Sequence, residues 1–323
     1  MYKYLSIIRW PNLLMVPITM YLMRYCIVQP MLDYQFSIQL GEQIRLQLSD
    51  GYFLILVLIN MLLGAGGFVI NDYFDRRIDT INRPDSVIVD RTLPRRHAII
   101  YHIALNAAAI VLATIFAWHL KMFSILLFYI MIGGIFWLYS TTYKRQLFVG
   151  NIVVAACTAL VPLQVGLFDY LTLTREYGCQ MLFNGLTFKP IMHWMTGFAF
   201  FAFATNIIRE IVKDMEDLEG DGSCGCNTIP LAYGIRVAKI VTVALIVLTI
   251  AALTAVYNIW LHESLTFIYM CALLIAPLAL AAVLTIAASE AKHYHRISTI
   301  IKIVMLMGVL YSVLARQIMQ FVV

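Results

Sequence analysis

Runs of about 20 apolar residues alternate with short polar stretches along the whole chain. Nine such runs can be drawn, at roughly 11–30, 51–70, 98–118, 122–141, 147–168, 190–211, 236–257, 265–288 and 298–320. Each matches the length an α-helix needs to cross a bilayer. In lipid the backbone must satisfy its own hydrogen bonds, so runs of this kind are expected as helices. The pattern therefore predicts an all-α, polytopic membrane protein with nine transmembrane helices in one bundle. Met1 to Pro11 is short and amphipathic, and the run after it is long enough to span, so it reads as no cleavable signal. The stretches Leu32–Asp50 and Asp169–Lys189 read as loops on the far side of the membrane.

Composition agrees. Of the 323 residues 62% are hydrophobic and only 13% charged, and the mean hydropathy is +0.83, against about a quarter charged in a soluble domain. The net charge of +5 then reads as basic loops on one membrane face, with no nucleic-acid partner implied. Most of the 23 Lys and Arg residues fall on the face that carries the N-terminus. That face is expected to be cytoplasmic, in the plasma (inner) membrane. The six cysteines, Cys26, Cys157, Cys179, Cys224, Cys226 and Cys271, show no ligand framework, and the Cys224/Cys226 pair reads as reduced buried or loop thiols. The histidines have no metal-ligand spacing, and no nucleophile–His–acid set is present. Gly64, Gly66 and Gly67 read as a close-packing site, not a nucleotide loop, because no strand precedes them. Gly133 and Gly134 read likewise.

One polar pattern occurs twice. Asn71-Asp72-Tyr73-Phe74-Asp75-Arg76-Arg77-Ile78-Asp79 follows the second run, and Lys213-Asp214-Met215-Glu216-Asp217-Leu218-Glu219-Gly220-Asp221 follows the sixth. Both contain D-x-x-D-x-x-x-D, offset by 142 residues. Positions i, i+3 and i+7 share a helix face, so each copy is expected to project three carboxylates one way. Such clusters suit a hard divalent cation, Mg²⁺ above all, held by a few carboxylates and by substrate phosphate oxygens. By span parity both copies lie on the same, cytoplasmic side. Their spacing of four spans suggests two related four-helix halves, about 1–145 and 146–290, with one extra helix at about 298–320.

Basic residues that could hold a diphosphate stand nearby. They are Arg83, Arg91, Arg95 and Arg96 after the first copy, Lys144 and Arg145 after the fourth run, and Arg209 and Lys213 beside the second copy. Asn206, Arg209, Lys213 and Asp217 are expected to form one stripe facing the bundle interior. Tyr139 and Tyr143 read equally as an interfacial belt or as substrate contacts. Together these features suggest an enzyme acting on a diphosphate with an apolar tail. A cation-coupled transporter and a non-catalytic scaffold compete with it. The transporter needs a charged path through the far halves of the spans, which carry almost no ionisable residues.

At this point the chain resembles the UbiA superfamily of intramembrane prenyltransferases. Asn71, Asp72, Asp75 and Asp79 match its first motif, and Asp214, Asp217 and Asp221 its second. Arg9-Trp10-Pro11-Asn12, Asn82-Arg83-Pro84, Tyr139-Ser140 with Lys144, and Gly150-Asn151 also match. The resemblance implies Mg²⁺-dependent transfer of a prenyl group from a polyprenyl diphosphate to a lipophilic acceptor. It implies Asn71, Asp75, Asp217 and Asp221 as metal ligands. Arg83, Arg91, Lys144, Lys213, Arg209 and Tyr143 become diphosphate-binding residues, and Asp72, Asp79, Asp214 and Lys213 catalytic or acceptor-side groups. The run Arg209-Glu210-Ile211-Val212-Lys213-Asp214 through Asp221, with Ile81-Asn82-Arg83-Pro84-Asp85, is most similar to the digeranylgeranylglyceryl phosphate synthase branch, which implies a prenylglyceryl phosphate acceptor. An aromatic acceptor of quinone or haem biosynthesis is the alternative. The branch usually has Pro and Gly before the residue equivalent to Arg91, where Val89 and Asp90 stand here.

Overall fold

The structure, a computed structural model, describes residues 2–321. Among the described residues nine helices are long and apolar enough to cross a membrane: Trp10–Leu40, Asp50–Asn82, Arg95–Leu120, Ser124–Thr141, Val149–Phe183, Lys189–Glu216, Ile235–Leu261, Ser264–Ala287 and Ala291–Gln320. These are called the first to ninth spans below. The protein is thus an all-α, multi-pass membrane protein, and no strand occurs among the described residues. A single bridge between Val89 and Leu93 closes a turn.

Several helices run well past their apolar stretches. The second span has 33 residues, about 50 Å of helix against a hydrocarbon core of roughly 30 Å. Its last turns therefore stand clear of lipid, and these turns carry Asn71 to Asp79. The two stretches expected to be far-side loops are corrected. Helix continues to Leu40 in the first span and to Phe183 in the fifth. The polar residues there do not end the helix because a helix keeps its own hydrogen bonds in water as in lipid. π-Turns at Arg24–Val28 and Leu32–Phe36 flank Pro30 in the first span. They absorb the N–H that proline lacks.

The chain forms two compact units that interleave along the sequence. The first contains 1–18, 50–153 and 217–234, and the second contains 19–49, 154–216 and 235–323. In the first unit the second, third and fourth spans pack closely. Glycines allow it, as expected. A Cβ on Gly66 would stand 2.6 Å from Asn106 Nδ2, and one on Gly67 3.2 Å from the Phe136 ring. Gly133 also faces Asn106, whereas Gly134 opens on free space.

In the second unit Asp169 is a buried helical residue rather than the start of a loop. It lies 3.8 Å from Arg24, and both side chains are almost fully excluded from solvent. Arg24 also donates to the Leu48 carbonyl. Among the described residues the far halves of the spans thus hold a buried ion pair, which ties the first and fifth spans together.

The second acidic copy departs from expectation. It does not continue one helix. The sixth span ends at Glu216, Asp217 sits at a bend with φ −94° and ψ 14°, and a short helix Leu218–Ser223 carries Asp221. The cause lies in the first unit. Asn82 donates to the Asp217 carbonyl at 3.1 Å and accepts from the Gly220 N–H at 2.8 Å. Gly220 is required for this approach, because a Cβ there would stand 2.5 Å from the Asn82 amide. The three carboxylates of this copy therefore do not share a helix face, and Asp217 leaves the stripe of Asn206, Arg209 and Lys213.

Two expectations follow from this packing. Asn82→Ala should speed hydrogen exchange at the Gly220 amide about fivefold, through loss of a hydrogen bond worth ~1 kcal/mol. Exchange mass spectrometry of 217–224 measures it, and unchanged protection would contradict the role given to Asn82. In the second unit a Cβ on Gly308 would stand 2.1 Å from Phe201 Cε1. Gly308→Ala should therefore destabilise by roughly 1–3 kcal/mol through overpacking, despite a helix-propensity gain of ~1 kcal/mol. Thermal unfolding in detergent should show a lower midpoint.

Candidate active site

The first acidic copy is a true helix face. Asn71, Asp72, Asp75 and Asp79 all lie within the Asp50–Asn82 helix, and Asp75 is 4% exposed. Carboxylates this close, and this buried, require counter-charge, and the first unit supplies it from distant segments. Lys144 bonds to Asp75 Oδ2. Arg9 bonds to Asp72 Oδ1 at 2.6 Å. Arg83 bonds to Asp217 Oδ1 at 2.9 Å.

Lys144 is held on the single turn Tyr143–Arg145. Gly150 lets the start of the fifth span lie against this turn, since a Cβ there would stand 3.0 Å from the Tyr143 carbonyl. Burial opposes the charge on Lys144, but Asp75, Tyr139 and Asp221 together outweigh it, and the ammonium is held above its ordinary value. Asp221, itself 4% exposed, thus acts on the same lysine as Asp75. The segment bearing it is tied to the lysine turn by the Asn227 N–H, which donates to the Arg145 carbonyl at 3.1 Å. The first acidic copy and the Asp217–Asp221 part of the second are therefore gathered in one unit about Lys144.

Arg9 is a site neighbour that the sequence suggested only as a supporting match. Burial opposes its charge, and Asp72, Asp79 and Asp75 outweigh that cost, so its guanidinium is held more firmly protonated than usual. Arg9 adopts φ 49°, uncommon for a residue with a side chain. This conformation starts the first span and turns the chain toward Asp72. The signal available in sequence was an arginine immediately before an apolar run. Asn82 was legible only as part of the supporting Asn82-Arg83-Pro84 match, which carried no hint of its bonds to the Asp217–Gly220 bend.

The remaining predicted residues lie elsewhere. Arg91 donates to the Pro84 carbonyl, and among the described residues it pairs with no motif aspartate. Arg209, Lys213 and Asp214 belong to the second unit, on the sixth span. There Arg209 and Lys213 share Glu210, at 2.9 and 3.6 Å. The expected stripe does not extend to Asp217, because the helix ends before it. Arg209 Nε is buried and meets no hydrogen-bond acceptor among the described residues. Cys226 is buried, and burial followed by the Asp221 charge pushes its thiol up to about 11.

No three His, Cys, Asp or Glu side chains among the described residues are gathered as a ready metal centre. The donor set nevertheless fits a hard cation that takes much of its shell from water and phosphate. Asn71 donates from Nδ2 to Asp75 Oδ2 at 2.6 Å. Its Oδ1 is buried with no hydrogen-bond partner among the described residues. A buried amide oxygen with no donor, beside a carboxylate, is a group left to coordinate.

The UbiA prenyltransferase family profile matches residues 42–312. Similar sequences include the digeranylgeranylglyceryl phosphate synthase of Thermococcus sibiricus, 32% identical over 206 residues. That alignment spans 62% of this chain and 62% of the relative. The synthase of Methanothermobacter thermautotrophicus is 27% identical over 94% of this chain and 92% of its own. In fold the chain is similar to a solved digeranylgeranylglyceryl phosphate synthase structure, with TM-score 0.63 and 21% identity, covering 98% of each chain. It is also similar to a UbiA homologue from Archaeoglobus fulgidus bound to GPP and Mg²⁺, with TM-score 0.53 and 18% identity, covering 96% of this chain and 99% of that one. With both acidic motifs, their spans and the sequence match in agreement, the chain belongs to the UbiA prenyltransferase family.

Proposed function

We propose that this protein transfers a prenyl group from a polyprenyl diphosphate to the hydroxyl of a prenylglyceryl phosphate, with Mg²⁺ as cofactor. The observation that carries the reading is the Lys144–Asp75 ion pair, with Asp217 held by Arg83 and the Asp221 segment tied to the lysine turn through Asn227 in the same unit. Opposite charges are paired there, at the end of an apolar helix, in a form that a diphosphate and a divalent cation can exchange into. The names of the similar sequences support the acceptor, and the GPP and Mg²⁺ bound by the Archaeoglobus homologue support the donor and the ion.

In this reading Asn71, Asp75, Asp217 and Asp221 hold the metal. Bound Mg²⁺ would supply charge neutralisation of the diphosphate as it leaves. Lys144 and Arg83 exchange their carboxylate partners for phosphate oxygens, and Tyr143 stands on the lysine turn to join them. The family motifs also assign Arg91, Arg209 and Lys213 to the diphosphate; here Arg91 is engaged with the Pro84 carbonyl, and Arg209 and Lys213 with Glu210. The allylic C–O bond breaks as the acceptor oxygen bonds to C1, and the acceptor hydroxyl gives up its proton. We read Asp72 and Asp79 as carboxylates that receive that proton or orient the hydroxyl, the role that the family motifs also give to Asp214 and Lys213. Arg9 positions Asp72. The prenyl tail lies among the apolar spans, where water is excluded from the developing carbocation.

We further read the N-terminus and both motifs as cytoplasmic, in the plasma membrane, and the 142-residue offset as the trace of a repeat of two four-helix halves within one domain. The lysines and arginines cluster on that face, as the positive-inside rule requires.

Asp75→Asn and Asp217→Asn should each lower Mg²⁺-dependent diphosphate release from a C20 donor and a prenylglyceryl phosphate by about 10³-fold or more, the scale expected when a transition-state charge partner is lost. Chelation with EDTA should do the same reversibly. Mass spectrometry of the lipid product identifies the acceptor. Full activity in both variants would refute the site.

A further inference from the structure

The face of the second span next to the aspartates carries a separate recess. Arg76, Arg77, Thr80 and Ile81 line it from the helix, and Val87, Val89, Asp90 and Arg91 from the loop that follows, around a cavity of about 370 Å³. Its size is within the range of small-ligand pockets, ~300–1,000 Å³. Three arginines stand against one carboxylate. Asp90 is taken by Arg76, which leaves Arg77 and Arg91 as the excess positive charge.

The loop that forms the far wall is built rather than loose. The Thr92 and Leu93 N–H groups donate to the Ile88 carbonyl at 2.9 and 3.1 Å, and Asp90 N–H donates to the Leu93 carbonyl at 2.9 Å. Asp90 accepts φ 68° to close this turn, a conformation aspartate tolerates better than most residues. Val89 and Leu93 are buried on a cluster with Ile7, Val69 and Ala98. Arg91 reaches back to the Pro84 carbonyl, so its guanidinium is set across the loop. Ile81 is 44% exposed, an apolar side chain at the rim of a cationic hollow.

We propose that this recess binds a phosphate ester carried on a lipid tail, apart from the aspartate site. Guanidinium groups give phosphate directed, charge-assisted hydrogen bonds, and Ile81 and Val87 offer apolar contact to the start of a tail. The position, one helical face from the motif carboxylates, keeps this phosphate away from their negative charge. Two lipids carry the same chemistry: an anionic phospholipid of the surrounding membrane, and the phosphorylated acceptor. The second source rests on the function proposed above.

The test uses the full chain in phosphatidylcholine nanodiscs containing dioleoyl phosphatidic acid. Native mass spectrometry reads the phosphatidic acid retained by the wild type, Arg77→Glu and Arg77→Lys. Retention should fall about tenfold in Arg77→Glu, the loss expected for a hydrogen bond to a charged group, and stay within about threefold in Arg77→Lys, which keeps the charge. A second arm measures KM for prenylglyceryl phosphate in neutral nanodiscs. A rise in KM for Arg77→Glu at unchanged kcat supports the acceptor as the occupant. Lost phosphatidic acid retention with unchanged KM supports the bulk phospholipid. Arg77→Glu that folds, by circular dichroism and size exclusion, and matches the wild type in both arms overturns the proposal. Absence of turnover in the wild type would count against the functional reading alone, and the retention arm would still decide the recess.

Discussion

A carboxylate buried at the end of a membrane helix has to be matched by positive charge, and the pair between Lys144 and Asp75 meets that demand at the centre of the first unit. Neither group is tolerable there alone, because removing one partner leaves an uncompensated charge in a medium of low dielectric. Much of the local architecture serves this contact. The turn Tyr143–Arg145 presents the lysine, Gly150 gives it room, and Asn227 ties the Asp221 segment to the same turn. The second span extends beyond its apolar stretch so that the aspartates stand at the level of the turn.

The same charge balance connects structure to chemistry. A site made of paired opposite charges can exchange partners when a polyanion and a divalent cation arrive together. The carboxylates then face the cation and the basic groups face the phosphates, with little net change in buried charge. An unpaired acidic cluster would hold a metal but would repel a diphosphate. An unpaired basic cluster would do the reverse. Asn71 completes this logic, since its amide holds Asp75 through Nδ2 and keeps Oδ1 for another partner.

The two acidic copies read as equivalent in sequence, yet they are built differently. The first lies on one helix. The second is broken at Asp217 by Asn82, with Gly220 giving the approach. As a result Asp217 and Asp221 belong to the compact unit of the first copy, while Asp214 stays with the sixth span. Periodicity arguments assume an unbroken helix, and a side chain 135 residues away in the chain is invisible to them.

By itself the sequence determined the membrane class, the number of spans and the residues of both motifs. These depend on properties that are local along the chain: apolar length against bilayer thickness, and the repeat of D-x-x-D-x-x-x-D. The family resemblance added the chemistry. Helix ends were less legible, because a helix that leaves the membrane loses its apolar signal but keeps its hydrogen bonds, as in the extensions to Leu40 and Phe183. Only the tertiary structure decided which charges meet. Arg9 with Asp72, Lys144 with Asp75, Arg83 with Asp217 and Arg24 with Asp169 are all long-range pairs. Where the charge is buried, as at Asp75 and in the Arg24–Asp169 pair, the partner is selected by the cost of burying a charge alone, a cost that exists only once the helices have packed.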